Sequence, residues 1–161
     1  MRYVLRRVIF EDTAERQADE LVNLCKAAGI DAVLLMEQSH MALMVPYPLE
    51  KHKRMAKKYK MISTKLRENN ISYGVNIASI IGHTDAQITD DYRLPYQKFV
   101  GDDLKEAYSC YCILDDGWQE YAQEVFALYA ATNPDCIFID DDFRSLNHGR
   151  TLGCFCPIHL K

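Results

Sequence analysis

The sequence contains no apolar run that approaches the length of a membrane-spanning helix. Such a helix needs about 20 consecutive apolar residues, so we expect no transmembrane segment and no membrane partner. The N-terminal stretch MRYVLRRVIF places arginines inside an apolar segment that is too short for the core of a signal peptide. These absences predict a soluble, cytoplasmic protein.

An excess of positive charge is also lacking, because 19 lysines and arginines face 23 aspartates and glutamates, for a net charge of −4. This balance gives no electrostatic reason to expect a nucleic-acid partner. The basic segment at 50–60, EKHKRMAKKYK, is interpreted as the solvated face of a helix. An apolar fraction of 48% excludes a disordered chain, and 161 residues suffice for one domain with a packed core.

The glycine-rich phosphate turn of dinucleotide-binding folds is missing, since the first apolar run leads into EDTAE. Strand-like runs nevertheless alternate with helical patterns along the chain. Strands are predicted at 3–10, 30–40, 71–82 and 135–141, helices at 13–29, 48–70 and 118–132, and a long loop at 83–117. This alternation of near-continuous apolar strands with helices predicts an α/β fold with a parallel sheet.

Two parallel architectures fit this pattern, an open sheet and the first four βα units of a (β/α)8 TIM barrel. A complete barrel takes about 250 residues, and four units of about 40 residues fill this chain. We therefore interpret residues 1–161 as a single domain that forms a half barrel, the truncated N-terminal half of a TIM barrel.

Three consecutive aspartates, Asp140, Asp141 and Asp142, follow the last predicted strand. Side-chain alternation sends Asp140 and Asp142 to the same face. Because like charges oppose ionisation, at least one of these carboxyls should have a raised pKa, as a general acid requires at neutral pH. Alternatively, one aspartate caps a turn while another pairs with Arg144, or the aspartates bind a divalent cation.

The other predicted strands also end in polar residues. In parallel α/β folds the C-terminal edge of the sheet is where ligands bind. Arg144 and His148 follow the aspartates and are expected to balance the negative charge of those carboxylates. For His40, a role as a hydrogen-bonded core histidine is an equal alternative to substrate binding. The candidate substrate-binding residues are Glu37, His40, Asn76, His83, Asp141 and His148.

Six cysteines in a chain without an export signal indicate free thiols or metal ligands before disulfides. The segment CFCPIH offers Cys154, Cys156 and His159 within six residues, and thiolate and imidazole ligands suit zinc. A structural zinc site needs four ligands. By spacing alone, Cys110 or Cys112 could supply the fourth, and ordinary free thiols remain the alternative.

The last part of the chain, from YCILDDGW to GCFCPIHL (111–160), resembles the fourth-strand region of glycoside hydrolase family 42 β-galactosidases. The segment IDDDF stands where that family has Ile-Asp-Asn-Glu-aromatic, which matches Asp141 to the asparagine and Asp142 to the glutamate general acid/base. The resemblance also matches a four-cysteine zinc cluster of the family, with histidine in place of the last cysteine, to Cys112, Cys154, Cys156 and His159.

The resemblance implies the N-terminal part of a glycoside hydrolase that acts on glycosidic bonds of oligosaccharides or glycoconjugates, with a structural zinc beside the acid/base. Asp142 would be catalytic, and Asp140 and Arg144 would tune it. Aspartate is one methylene shorter than glutamate, so the substrate would have to lie deeper. The family takes its second carboxylate from a seventh strand that these residues lack, so the chain alone is expected to be inactive.

Two alternatives come from other functional classes. A non-catalytic half barrel could dimerise through its open sheet edges, since unpaired edges recruit partners. A metal-dependent hydrolase could instead use the aspartates together with His148. The expected partners are therefore carbohydrate and either a missing C-terminal half or a second copy of the chain.

Overall fold

The computed structural model describes residues 3–37, 45–77, 80–81, 93–139 and 153–161. In chain order, its elements in these ranges are β1 (Val4–Ile9), α1 (Ala14–Ala28), β2 (Ala32–Glu37), α2 (Leu49–Glu68), β3 (Ser72–Ile77), β4 (Lys98–Val100), β5 (Glu106–Tyr111), α3 (Asp116–Ala130) and β6 (Cys136–Ile139).

The chain divides into two compact units. We call the first the sheet unit, which comprises Met1–Gln38, Glu50–Ile77 and Phe126–Ile139. The second is the hairpin unit, which comprises Ser39–Leu49, Ala78–Val125 and Asp140–Lys161. The assignment of all 161 residues to one domain stays a prediction.

A four-stranded parallel sheet in the order β1-β2-β3-β6 forms the centre of the sheet unit. The central strands carry fully buried apolar residues such as Val33, Leu35 and Val75. Consecutive parallel strands joined by helices are the arrangement of the first units of a (β/α)8 barrel. The predicted α/β fold, with parallel strands alternating with helices, is confirmed, and β6 is the strand that the sequence predicted at 135–141.

Apolar spacing and an end signal explain α1. Ala14, Ala18, Leu21 and Cys25 recur three or four positions apart and are buried along one face of the helix. Gly29 ends the helix in the left-handed conformation, with φ of +65°, and its backbone N–H donates to the carbonyl of Cys25. Glycine adopts this conformation without the penalty that a Cβ would bring.

The basic segment at 50–60 lies on α2, and its charged side chains form surface ion pairs. Lys53 pairs with Glu50 at 2.7 Å, and Arg54 pairs with Glu11 at 2.6 Å. Exposed pairs of this kind contribute only about 0–1 kcal/mol each, so this charged face of the helix lies in solvent and adds little to stability. The opposite face of α2 is buried, and it includes His52, Met55, Tyr59, Ile62 and Leu66.

Close packing around β3 requires glycine at position 74. A Cβ there would lie 2.6 Å from Cδ2 of Leu34 and 2.7 Å from Sγ of Cys136. Both neighbours belong to the strands on either side of β3. The absence of a side chain at Gly74 therefore lets the central strands approach each other.

The segment at 83–117 was predicted to be a long loop, and this prediction was wrong for its described part. Residues 98–111 contain the antiparallel hairpin of β4 and β5, with Lys98 opposite Tyr111 and Val100 opposite Glu106. The backbone N–H of Gly101 closes the turn by donating to the carbonyl of Lys105. A three-residue β4 and a β5 rich in small and polar residues leave little periodicity for a sequence pattern to detect.

In the hairpin unit, α3 begins at a well-defined cap. The carboxylate of Asp115 accepts a hydrogen bond from the backbone N–H of Trp118 at 2.8 Å. The buried Trp118 indole in turn donates to the carbonyl of Ile80 at 3.1 Å. These bonds satisfy donors at the helix start and fix its first turn.

Within the described part of the chain, every helix is too short or too polar to cross a lipid bilayer.

Candidate metal centre

The edge of β4 positions the C-terminal segment of the hairpin unit. The backbone N–H of Phe155 donates to the carbonyl of Val100 at 2.9 Å. The backbone N–H of Val100 in turn donates to the Cys154 sulfur at 3.4 Å. A tight turn follows, in which the N–H of His159 donates to the carbonyl of Cys156 at 3.0 Å. This turn brings the His159 ring back beside Cys156.

Cys112 completes the group because it directly follows β5, which pairs with β4. Its sulfur lies 3.3 Å from Nδ1 of His159 and 3.5 Å from the sulfur of Cys156, and Cys156 lies 3.5 Å from Nδ1 of His159. The ligand atoms of Cys112, Cys154, Cys156 and His159 all lie within 4.8 Å of one another. Four soft or borderline ligands are thus gathered in one place.

The three distances among Cys112, Cys156 and His159 are close to those of a tetrahedral metal site. Zinc bonds of about 2.3 Å to sulfur and 2.0 Å to nitrogen place tetrahedral ligand atoms about 3.5–3.8 Å apart. The sulfurs of Cys112 and Cys156 are too far apart for a disulfide, whose S–S bond is about 2.05 Å. All six cysteines are free thiols. The cluster could therefore hold a metal ion.

Burial and hydrogen bonds together give the three thiols of the cluster different pKa values. Burial raises the pKa of the Cys112 thiol to about 12, and the neighbouring Cys156 adds to the rise. Burial also raises the pKa of Cys154. Burial also acts to raise the pKa of Cys156, but hydrogen bonds with His159, Cys112 and Cys154 together outweigh it and lower the pKa to about 7. Near neutral pH the metal-free cluster would keep protons on Cys112 and Cys154, which a bound cation must displace.

The structure distinguishes the two cysteines that the sequence left as alternatives. Cys110 lies in an apolar cluster with Phe99 and Ala107, against which Cys154 also packs, but its sulfur is not in the ligand group. Cys112 lies instead with Cys156 and is fully buried. Because residues alternate between the faces of a strand, positions 110 and 112 would share a face in a regular extension of β5. The strand ends at Tyr111, and Cys112 just beyond it is the cysteine whose sulfur joins the ligand group.

Two predicted substrate-binding residues lie at the C-terminal edge of the parallel sheet. Glu37 is the last residue of β2, and Asn76 lies opposite Met36 on β3. Both are buried, with Glu37 6% and Asn76 0% exposed. They are thus brought to the same edge of neighbouring strands, and their roles in substrate binding stay predictions.

A polar group beside Glu37 was missed by the sequence analysis. Nδ1 of His52, on α2, lies 2.9 Å from Oε1 of Glu37 and 2.9 Å from the hydroxyl of Tyr129. The His52 side chain is only 1% exposed. A usable signal was present, since His52 shares helical spacing with Met55, Tyr59 and the rest of the buried face of α2.

The remaining site predictions fall outside the described residues. These include the proposed acid/base and the residues expected to tune it, as well as the cation site of the metal-dependent alternative. They stay predictions for His40, His83, Asp140, Asp141, Asp142, Arg144 and His148.

Comparison with known proteins gives a weak structural likeness. No protein-family model matches the chain, and no curated protein matches it. Among solved structures, the chain is similar to one described as an inactive double mutant of MUTB, with 9% sequence identity and a TM-score of 0.47. That alignment covers 92% of this chain, which spans 38% of the length of the other chain. These comparisons assign the chain to no family.

Proposed function

We propose that this chain is part of a glycoside hydrolase-like TIM-barrel protein and that a structural Zn²⁺ stabilises its hairpin unit. One observation carries the proposal. The four residues that the resemblance to family 42 matches to a zinc cluster have their ligand atoms within 4.8 Å of one another. They do so although 44 positions separate Cys112 from Cys156.

The donor set supports zinc over other common ions. Thiolate and imidazole ligands favour zinc, whereas magnesium and calcium prefer oxygen. Four protein ligands would leave no open coordination position, so the ion would be structural and not catalytic. It would tie the segment at 153–161 to the hairpin, beside the hydrogen bond from Phe155 to Val100.

The carbohydrate part of the proposal rests on the resemblance and on the edge of the parallel sheet. Glu37 is the last residue of β2 and Asn76 the next-to-last residue of the neighbouring β3, at the edge where barrel enzymes bind their substrates. Asp142 would be the acid/base, tuned by Asp140 and Arg144. The remaining contacts to an oligosaccharide or glycoconjugate would come from His40, His83, Asp141 and His148.

Cobalt substitution tests the metal part directly. Co²⁺ bound tetrahedrally by thiolates absorbs strongly in the visible range, and we expect this absorption when the metal-free protein is titrated with one equivalent. Cys154→Ser should weaken or abolish it. Cys136→Ser, which removes an exposed cysteine from the sheet unit, is the matched control and should leave it intact. Absorption that survives Cys154→Ser unchanged would refute the ligand assignment.

A sugar titration followed by amide NMR tests the carbohydrate part. We expect lactose or galactose to shift the backbone amide signals of Glu37 and Asn76. We expect no hydrolysis of aryl glycosides, because family 42 takes the second carboxylate of its retaining mechanism from a seventh strand, and the resemblance matches no residue of this chain to that carboxylate. Unchanged signals at both residues, or measurable turnover by the purified chain, would contradict this assignment.

A second candidate is a module that pairs with another copy of itself through the outer strands of the sheet. The edge strands β1 and β6 expose apolar side chains, with Val4 57%, Phe138 48% and Ile139 47% exposed. Exposed apolar edges are templates for strand pairing. Sedimentation would then give a defined dimer of the 18.6 kDa chain that Phe138→Lys dissociates. A monomer at every concentration would exclude it.

A further inference from the structure

An open cleft of about 800 Å³ lies in the hairpin unit, outside the residues on which the proposed function rests. The segment 93–97 supplies the largest part of its walls, β4 and β5 supply a second part, and Asp115 and Ile158 complete the lining. Its volume lies within the range of about 300–1,000 Å³ that is typical of small-molecule sites. The cleft is therefore large enough for a small ligand.

Two tyrosines, Tyr96 and Tyr108, line this cleft. Tyr108 is 49% exposed, so part of its ring is available to a ligand. Tyr96 is half-buried, and its ring packs against those of Tyr111 and Tyr121 at centroid distances of 5.9 and 5.6 Å. These contacts hold the Tyr96 ring in place, so it would lose little freedom when a ligand packs against the part of it that lines the cleft.

The charged side chains that line the cleft cancel in sign. Lys98 donates to the carbonyl of Tyr108 at 2.7 Å and lies 3.8 Å from the centroid of the Tyr111 ring. Asp115 accepts hydrogen bonds from the backbone of Trp118 and Gln97. Arg93 and Glu106 add one charge of each sign. A cleft without net charge has no long-range attraction for a polyanion.

The combination of ring faces with planar polar groups defines the ligand class. We propose that this cleft binds a neutral saccharide, with its sugar rings stacked on Tyr96 and Tyr108. Pyranose rings present an apolar C–H face to an aromatic ring. Their neighbouring hydroxyls match planar groups such as the Arg93 guanidinium and the Glu106 carboxylate, which can make paired hydrogen bonds.

A proline-rich peptide is the main competing ligand, since such peptides also bind aromatic-lined grooves. Its rings stack equally well on tyrosines, but they bring no hydroxyl pairs to the planar groups of the cleft. The saccharide therefore uses more of the cleft's chemistry.

The test is a titration of the ¹⁵N-labelled, metal-loaded chain with lactose, cellobiose, maltose and N,N′-diacetylchitobiose. We expect at least one disaccharide to bind in the millimolar range and to shift the amide signals of Tyr96 and Tyr108. Tyr108→Ala should weaken binding about tenfold by removing the stacking face, and Tyr108→Phe should preserve it. Tyr3→Ala is the matched control, because it removes a 57% exposed tyrosine from the sheet unit.

Each other outcome overturns the inference. If none of the four disaccharides shifts the hairpin signals of folded protein, the cleft is not a saccharide site. Binding that Tyr108→Ala leaves unchanged would place the sugar elsewhere. A proline-rich peptide that binds through Tyr108, without any saccharide binding there, would identify the wrong ligand class. Shifts at Glu37 and Asn76 report on the proposed function separately, so the two ideas can fail independently.

Discussion

Replacement of His52 by alanine should destabilise the sheet unit strongly. The imidazole is 1% exposed and lies 2.9 Å from the Glu37 carboxylate, whose side chain is only 8% exposed. Removing one member of a buried pair leaves the other without its compensating partner, which costs about 3–5 kcal/mol. For a domain of this size each kcal/mol lowers Tm by about 2–4 °C, so we expect a decrease of roughly 6–20 °C.

Thermal unfolding of His52→Ala followed by circular dichroism would measure this loss. Lys53→Ala is the matched control, since Lys53 is the next residue of α2 and pairs with Glu50 at the surface. It should change the free energy of unfolding by less than about 1 kcal/mol. Tyr129→Phe, which removes only the hydroxyl 2.9 Å from Nδ1, should cost about 0.5–1.5 kcal/mol. A His52→Ala protein whose free energy of unfolding lies within about 1 kcal/mol of the parent's would refute the reasoning.

Two further predictions concern the packing of the sheet and the pH dependence of metal binding. Gly74→Ala should cost about 1–3 kcal/mol in urea denaturation because its Cβ would collide with Leu34 and Cys136, and a variant as stable as the parent would contradict this packing. Metal affinity, measured against a competing chelator between pH 6 and 8, should rise with pH. Protons on Cys112 and Cys154, whose pKa values burial raises, must leave on binding, so falling pH favours the metal-free state. A pH-independent affinity would exclude thiolate ligation.

The regular part of the fold could be predicted from local sequence patterns. The apolar runs of β2 and β3 and the helical spacing of α1 each lie within one segment, so no distant contact is needed to detect them. The β4–β5 hairpin is different. Its three-residue first strand is defined by pairing across the turn at Gly101 and by contact with Phe155, which lies far along the chain.

The candidate site divides in the same way. Spacing within CFCPIH identified Cys154, Cys156 and His159, because a short turn brings these ligands together. The choice between Cys110 and Cys112 depends on where β5 ends, which spacing does not reveal. His52 was missed because the lysines and arginines next to it in the sequence indicate an exposed helix face, although its helical position matches the buried face of α2.

Metal content per chain tests the central claim most directly. Protein purified without chelator should contain about one zinc ion per chain by elemental analysis, as a four-ligand site requires. Cys154→Ser should lose most of it, while Cys136→Ser retains it. Well-folded protein that contains no zinc and takes up none when zinc is supplied would contradict the metal centre. The grouping of the four ligand residues would then no longer support the proposed function.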